Sequence, residues 1–454
     1  MRFTRAVAIA VPFAVLAACG SADSTSVPAD SDAPIVGDSA PDSADLMDPP
    51  EDPEPEIEGL SLRYGSLTER SIDIDANGEN TTAAVAGMNE FAVDLYSSVS
   101  ASSDEANVVV SPYSVTFALG MIYAGARGDT AAEMADVLHA DGMDVGDWQE
   151  GINAYDLSLD ARTSGTDTDW ASGNKVWTRP GLPLLDDYLD VLTGVYDSPL
   201  AEADFAADPD AQRQVINRWA DAETNDLIPE LFPAGSIDSS TAMVLVNAIA
   251  LDAPWQFPFD PAATFDRDFT TADGATVTVP TMHYDEFLPT AIGDGYSAVE
   301  LPYDGGALSM VVIVPDDFAT FEENMTAESL DAVFGSISDG GIHLALPTWT
   351  ARTHVNLNES LSDLGMPTAF SGGADFSGMV EGGGGLSLST VEHEAFVEVD
   401  EEGTTAAAAT GGAMAASHGP TIDVLQPFVY VIRDQGAGTI LFIGSVTDPS
   451  IAAG

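Results

Sequence analysis

Six histidines, a single cysteine and no nucleophile motif leave this 454-residue sequence poor in chemistry of its own. His139, His283, His343, His354, His393 and His418 fall at no spacing that would gather a metal ion. There is no G-x-S-x-G elbow, no H-E-x-x-H, and no Walker or dinucleotide loop. With 74 acidic residues, no carboxylate pair stands out as a general acid and base. Catalysis by the chain itself is disfavoured, and no cofactor or metal is expected. One segment does carry a usable pattern: Glu401, Glu402, Gly403, Thr404, Thr405, Ala406, Ala407, Ala408, Ala409 and Thr410. After the acidic pair come a glycine and then small, uncharged side chains. The stretch reads as a loop able to enter a β-sheet. Strand alternation would turn Thr404, Ala406, Ala408, Thr410, Gly412 and Met414 to one face. None of these carries a charge that would have to be desolvated. Gly403 would absorb the dihedral change at the bend. Alanine is a poor strand former, which keeps the loop from joining a sheet too early. On its own, the segment could equally be an Ala/Gly-rich surface linker.

A sheet must exist to receive such a strand, and the flanking sequence supplies candidates. Residues 84–99 have helical spacing, with Phe91, Leu95 and Val99 on one stripe. Residues 107–110 read as a short buried strand. Ser111 and Pro112 make a helix start, a serine cap followed by proline in the first turn. Residues 115–124 are apolar nearly all round, as in a central helix, and another helix starts at Asp129. Further helices are predicted near 184–195 and 210–229, with Trp219 and Leu227 as core. From 242 onward strands dominate: 243–249, a short one at 277–279, an edge-like one at 297–301, then 308–315, 342–347, 386–388, 428–432 and 441–446. A helical turn falls at 361–364. Helices early and strands late indicate an α+β fold with large sheets. No internal repeat is present.

Composition narrows the partners. The formal net charge is −61, and Lys175 is the one lysine. Nucleic acid needs clustered cations and is not an expected partner; an anionic membrane surface would repel the chain. Such a charge stresses the compact state unless salt screens it. The chain reads as adapted to high ionic strength, the alternative being an acidic surface kept for solubility alone. Residues 1–18 form a signal-like segment: Arg2 and Arg5, then an apolar run too short to span a bilayer. Leu16-Ala17-Ala18-Cys19 is similar to a bacterial lipoprotein box, which implies cleavage before Cys19 and a lipid on its thiol; an ordinary secretory signal is the other reading. Residues 19–58 are rich in Ser, Asp, Pro and Ala and cannot bury enough apolar surface to fold. They read as a charged tether holding a domain of residues 83–450 off the membrane. Residues 59–82 form an ambiguous lead-in, with the first helix expected near Ala84.

Several separate blocks then resemble the serpin family across residues 84–449. They are Asn107-Val108-Val109-Val110-Ser111-Pro112-Tyr113-Ser114, the run 125–134, Asn174-Lys175-Val176-Trp177, Asn217-Arg218-Trp219, Leu245-Val246-Asn247-Ala248, Val299-Glu300-Leu301-Pro302-Tyr303, His393-Glu394-Ala395-Phe396-Val397-Glu398-Val399, the hinge 401–410, Pro427-Phe428-Val429-Tyr430 and Leu441-Phe442-Ile443-Gly444. Each is weak alone; their number and order are specific. The resemblance implies a serpin fold with a large central mixed sheet, additional antiparallel sheets, eight or nine helices and an exposed reactive loop over 401–420. It implies suicide inhibition of a serine endopeptidase, the cut loop inserting as a new strand before the acyl-enzyme is hydrolysed. Trp177, Asn174, Ser111, Pro112, Asn247 and His393 are then candidates for the breach and the shutter, the sheet regions that the resemblance ties to insertion, with the tryptophan Trp177 beneath the upper sheet opening, the breach.

The reactive bond falls at Ala416–Ser417 or Ser417–His418, according to which end of the loop is counted from. Small, neutral residues there fit a shallow primary pocket, elastase-like or subtilisin-like, and not a trypsin-like one. The domain is expected to be monomeric, outside the cell, and held at the membrane only by its lipid. Thr405 departs from the family's usual acid, and Gly411-Gly412 adds ordering entropy of about 1 kcal/mol per glycine relative to alanine. The competing readings are a serpin-fold surface protein that binds without inhibiting and a secreted hydrolase, the latter opposed by the missing nucleophile motifs.

Overall fold

A computed structural model describes residues 57–67, 70, 78–140, 142–383, 385–404 and 419–452. The signal, Cys19 and almost all of the tether lie outside the described residues, as do Thr405, Ala406, Ala407, Ala408, Ala409, Thr410, Ala416, Ser417 and His418.

The chain enters through a two-residue strand, β1 (Leu62–Arg63), and then α1 (Glu79–Ser102), which starts five residues before the expected Ala84. The valine run 107–110 forms β2 (Asn107–Val110), and α2 (Pro112–Tyr123) comes next. Ser111 caps α2 by accepting from Ser114 N at 3.2 Å, with Pro112 at the first position. The chain continues through α3 (Gly128–Val137), α4 (Val145–Thr163), β3 (Asp169–Thr178), α5 (Asp186–Tyr196), β4 (Leu200–Glu202), α6 (Pro209–Glu223) and β5 (Met243–Pro254). The strand-rich half holds β6 (Phe265–Thr270), β7 (Thr276–Tyr284), β8 (Phe287–Ile292), β9 (Tyr296–Pro302) and β10 (Leu308–Pro315). It continues with α7 (Phe318–Glu323), α8 (Ala327–Ser336), β11 (Ser338–Gly341), β12 (His343–Pro347), β13 (Trp349–Asn356) and α9 (Asn358–Leu364). The last strands are β14 (Thr390–Val399), β15 (Gly403–Thr404), β16 (Thr421–Asp423), β17 (Phe428–Asp434) and β18 (Ile440–Val446).

Three sheets result. The central one has the order β1-β4-β3-β5-β15-β14-β13, a second runs β11-β8-β9-β10-β17-β18-β2, and a small one runs β16-β12-β7-β6. The central sheet is mixed: β5 and β14 run parallel from Val244↔Thr390 to Ala250↔Phe396, while β3 and β13 are antiparallel to them. Nine α-helices are present among the described residues, and the α+β expectation holds. One face of the central sheet joins the main core with α1, α2 and the second sheet. The other face carries a smaller cluster under α6, including Trp177, Trp219, Val244, Val246 and Ala248.

Local readings needed four corrections. The stretch 297–301 is not an edge: β9 lies between β8 and β10, and its one charge, Glu300, is buried against Arg433 (2.9 Å) and Ser309 (2.6 Å). The strand at 277–279 extends to nine residues. Residues 386–388 form no strand, because Leu388 N donates to Ala369 O and Ser389 N to Met243 O, outside any ladder. The lead-in holds structure among its described residues: β1 pairs with β4, and Ile57, Leu60 and Leu62 pack against the cluster under α6. Arg218 donates to Glu58 O at 3.0 Å, and Asp190 of α5 accepts from Leu67 N at 3.0 Å.

Candidate functional site

The hinge is already seated. Beyond Ala250 and Phe396 the strands β5 and β14 part, and β15 fills the gap. Thr404 lies between Ala253 of β5 and Val399 of β14, antiparallel to both, and is wholly buried. Gly403 pairs with Pro254. A Cβ on Gly403 would stand 2.3 Å from Ala253 O and 2.7 Å from Pro254 Cα. Close backbone approach, rather than an unusual dihedral, is therefore what demands glycine here. Asp400 builds the bend, its Oδ1 accepting from Glu402 N (2.8 Å) and Gly403 N (3.2 Å). The carbonyls of Glu401 and Glu402 accept from Phe259 N (2.8 Å) and Trp255 N (2.9 Å).

Beneath this bend Trp255 stacks on Tyr303, with centroids 4.6 Å apart and planes at 12°. The indole Nε1 donates to Asp400 O at 3.0 Å, and the Tyr303 and Thr404 hydroxyls meet at 2.7 Å. Burial drives the Tyr303 phenol well above its ordinary pKa, so it stays protonated. Trp255 and Tyr303 are thus the aromatic floor of the breach, and the assignment of Trp177 to that place is wrong. Trp177 pairs with Val244 at the opposite end of β5 and meets Trp219 edge-on at 6.1 Å under α6. Nine residues of strand separate Val244 from Ala253, roughly 30 Å. Because β5 runs parallel to β14, Trp255, just after β5, comes level with the hinge, and Trp177, near the end of β3, does not.

Deeper in the sheet, the shutter candidates do converge. His393 and Asn247 are direct partners on β14 and β5. His393 Nδ1 bonds Asn247 Oδ1, while His393 Nε2 accepts from Ser111 N at 3.2 Å. The Asn247 amide donates to Ser114 Oγ at 2.5 Å and to Asn174 Oδ1, and Ser111 Oγ donates to Leu441 O at 2.8 Å. Asn174 therefore lies with Asn247 and Ser114 and not under the hinge. Full burial, then the neighbouring His354, pushes His393 down to about 3. With Nε2 accepting, the neutral tautomer carries its proton on Nδ1. The cluster is an uncharged, satisfied bridge across β5 and β14.

The family model of the serpins, serine protease inhibitors, matches residues 86–449. The chain is a serpin. It is 35% identical over 382 residues to the leukocyte elastase inhibitor of Bos taurus, covering 80% of this serpin and 99% of that protein. A serpin-like protein of Thermococcus kodakarensis is 32% identical over 394 residues, covering 85% of this serpin and 90% of its own length. Among solved structures, the thermophilic serpin tengpin in its native state superposes with a TM-score of 0.77 at 24% identity. That match covers 86% of this serpin and 99% of tengpin and bears on the fold. The serpin's closed lower slot and parted upper end sit in one continuous sheet, with the hinge as the first rung.

Proposed function

We propose that this serpin is a suicide inhibitor of serine endopeptidases. The observation that carries the reading is Thr404 standing as a buried rung between β5 and β14. Continued along the same register, residues 404–414 would run the length of β5, with Met414 opposite Met243. Thr404, Ala406, Ala408, Thr410, Gly412 and Met414 would then face the main core. Thr410 would arrive between Asn247 and His393, where its hydroxyl can replace the link those residues now make to each other. The target's serine attacks the reactive carbonyl, of Ala416 or Ser417; the C-terminal fragment leaves with its new amine, and an ester joins protease to loop. Insertion exchanges the β5–β14 ladder for two new ones and carries the protease away before water attacks the ester.

A small residue at the cut supports a target with a shallow pocket, elastase-like or subtilisin-like, and the similarity to leukocyte elastase inhibitors points the same way. Incubation with subtilisin or elastase should give an SDS-stable adduct and a short C-terminal peptide whose mass locates the bond. Cleavage without adduct by every serine protease tried would leave a binding protein of serpin fold. We also propose that Cys19 is lipidated and that the acidic tether holds a monomeric inhibitor at the outer surface of its cell; labelled fatty acid retained by wild type and lost in Cys19→Ser tests this.

A further inference from the structure

One half-buried contact ties together parts of the molecule that insertion would separate. Arg352, on β13, donates through Nη1 to Glu394 Oε1 of β14 at 2.6 Å and through Nη2 to Leu227 O at 3.1 Å. Its guanidinium also lies 4.6 Å from the Phe396 ring centroid. Leu227 belongs to the connection between α6 and β5, and the rest of that connection is fastened on the β5 side: Ile228, Leu231 and Phe232 are buried in the cluster containing Val244, Val246 and Ala248. The helix itself rests on β3. Trp219 meets Trp177, Lys175 Nζ sits 5.2 Å from the Trp219 ring, and Gly173 is bare because a Cβ would stand 2.7 Å from Trp219. The connection therefore bridges the slot, bound by apolar burial on one side and, on the other, by Arg352 at Leu227 and by His354 of β13 at the Leu231 backbone.

Admitting a strand moves β14 and β13 away from β5 by one interstrand spacing, about 4.8 Å. A 3.1 Å hydrogen bond does not survive that displacement unless the whole connection moves too. The level of the tie is also defined. Glu394 pairs with Ala248, and the register of Thr404, continued, brings Ala409 between them, halfway along the 404–414 segment. We propose that Arg352 is a positioning residue for the trap: by tying the Leu227 carbonyl to Glu394 across the slot, it holds the sheet closed at its midpoint and sets the rate of loop insertion. This rests on the insertion reading above and adds the residue that times it.

The test uses the intact serpin and a labelled, N-acetylated peptide of the sequence 404–414, so that no protease enters the readout. Arg352→Lys keeps a cation for Glu394 but cannot hold both acceptors through a planar fork. It should take up peptide about tenfold faster than wild type, equivalent to ~1.4 kcal/mol of barrier, with the melting temperature of the loop-cleaved form unchanged. Arg352→Met/Glu394→Gln removes both partners and should be at least as fast. Uptake within twofold of wild type in both variants overturns the proposal, as does an equal loss of stability in cut and uncut protein, which would mark Arg352 as packing alone. A wild-type protein that takes up no peptide and gains no stability when its loop is cut defeats the insertion reading itself, and the timing role with it.

Discussion

The hydroxyls of Tyr303 and Thr404 are 2.7 Å apart in the buried floor of the sheet opening, so a side chain as well as the ladder holds the hinge in place. Tyr303→Phe leaves the ring stacked on Trp255 and removes only this bond. The uncut protein should lose about 1 kcal/mol, measured by denaturant unfolding, because a buried hydroxyl loses its partner.

Thr404→Arg acts on the other member of the pair. An unpaired guanidinium would have to enter the core face beside Ala253 and Val399. Insertion should fall behind deacylation, raising the stoichiometry of inhibition several-fold and shifting product from adduct to cleaved inhibitor. An unchanged stoichiometry would refute the register assigned to the loop.

His393 gives the fold an acid sensitivity of defined sign. Its pKa is about 3 in the native state against an ordinary value of 6.5, so the unfolded chain binds the extra proton between those limits. The contribution is fully present above pH 6.5 and lost as pH falls toward 3, at about 1.4 kcal/mol per unit. Asp160, raised to about 6 by burial and Asp156, works in the opposite sense between about 6 and 3.8. The informative quantity is therefore the difference between wild type and His393→Gln in urea unfolding. That difference should shrink steadily from pH 6.5 to 4.

The entry strap makes its own prediction. Leu62 pairs with Ala201 at the edge of the central sheet and packs, with Ile57 and Leu60, on the cluster under α6. Leu60→Asp/Leu62→Asp should lower the stability of the uncut protein by roughly 1–3 kcal/mol. Faster proteolysis within residues 57–67 in the variant would confirm that the strap has lifted.

A net charge of −61 predicts a salt requirement. The melting temperature should climb from low to molar salt as repulsion is screened. A flat profile would leave solubility as the reason for the acidic surface.

The strands with the strongest apolar runs, β5, β10 and β17, were legible because burial on both faces leaves long runs with few polar residues to confuse the pattern. Alternation groups Thr404 with the even-numbered residues after it but does not say which face they take; that comes from its pairing with Ala253 and Val399. Trp177 was misplaced because β3 and β5 each have a tryptophan near or just past their end, and only pairing direction says which one meets the hinge. Glu300 suggested an edge because a lone charge in a strand gives no hint of Arg433, which lies 133 residues away. Arg352 was invisible for the same reason: its two acceptors, Leu227 and Glu394, are 125 residues before it and 42 after.

Lys175 is 1% exposed beneath α6, and no other residue in the sequence carries a primary amine on its side chain. Amine-directed reagents thus have no exposed side chain to attack on the closed protein. A dye or cross-linker ester that reacts at Lys175 would be reporting the lifting of α6, so the chain carries a built-in chemical probe for the moment its sheet opens.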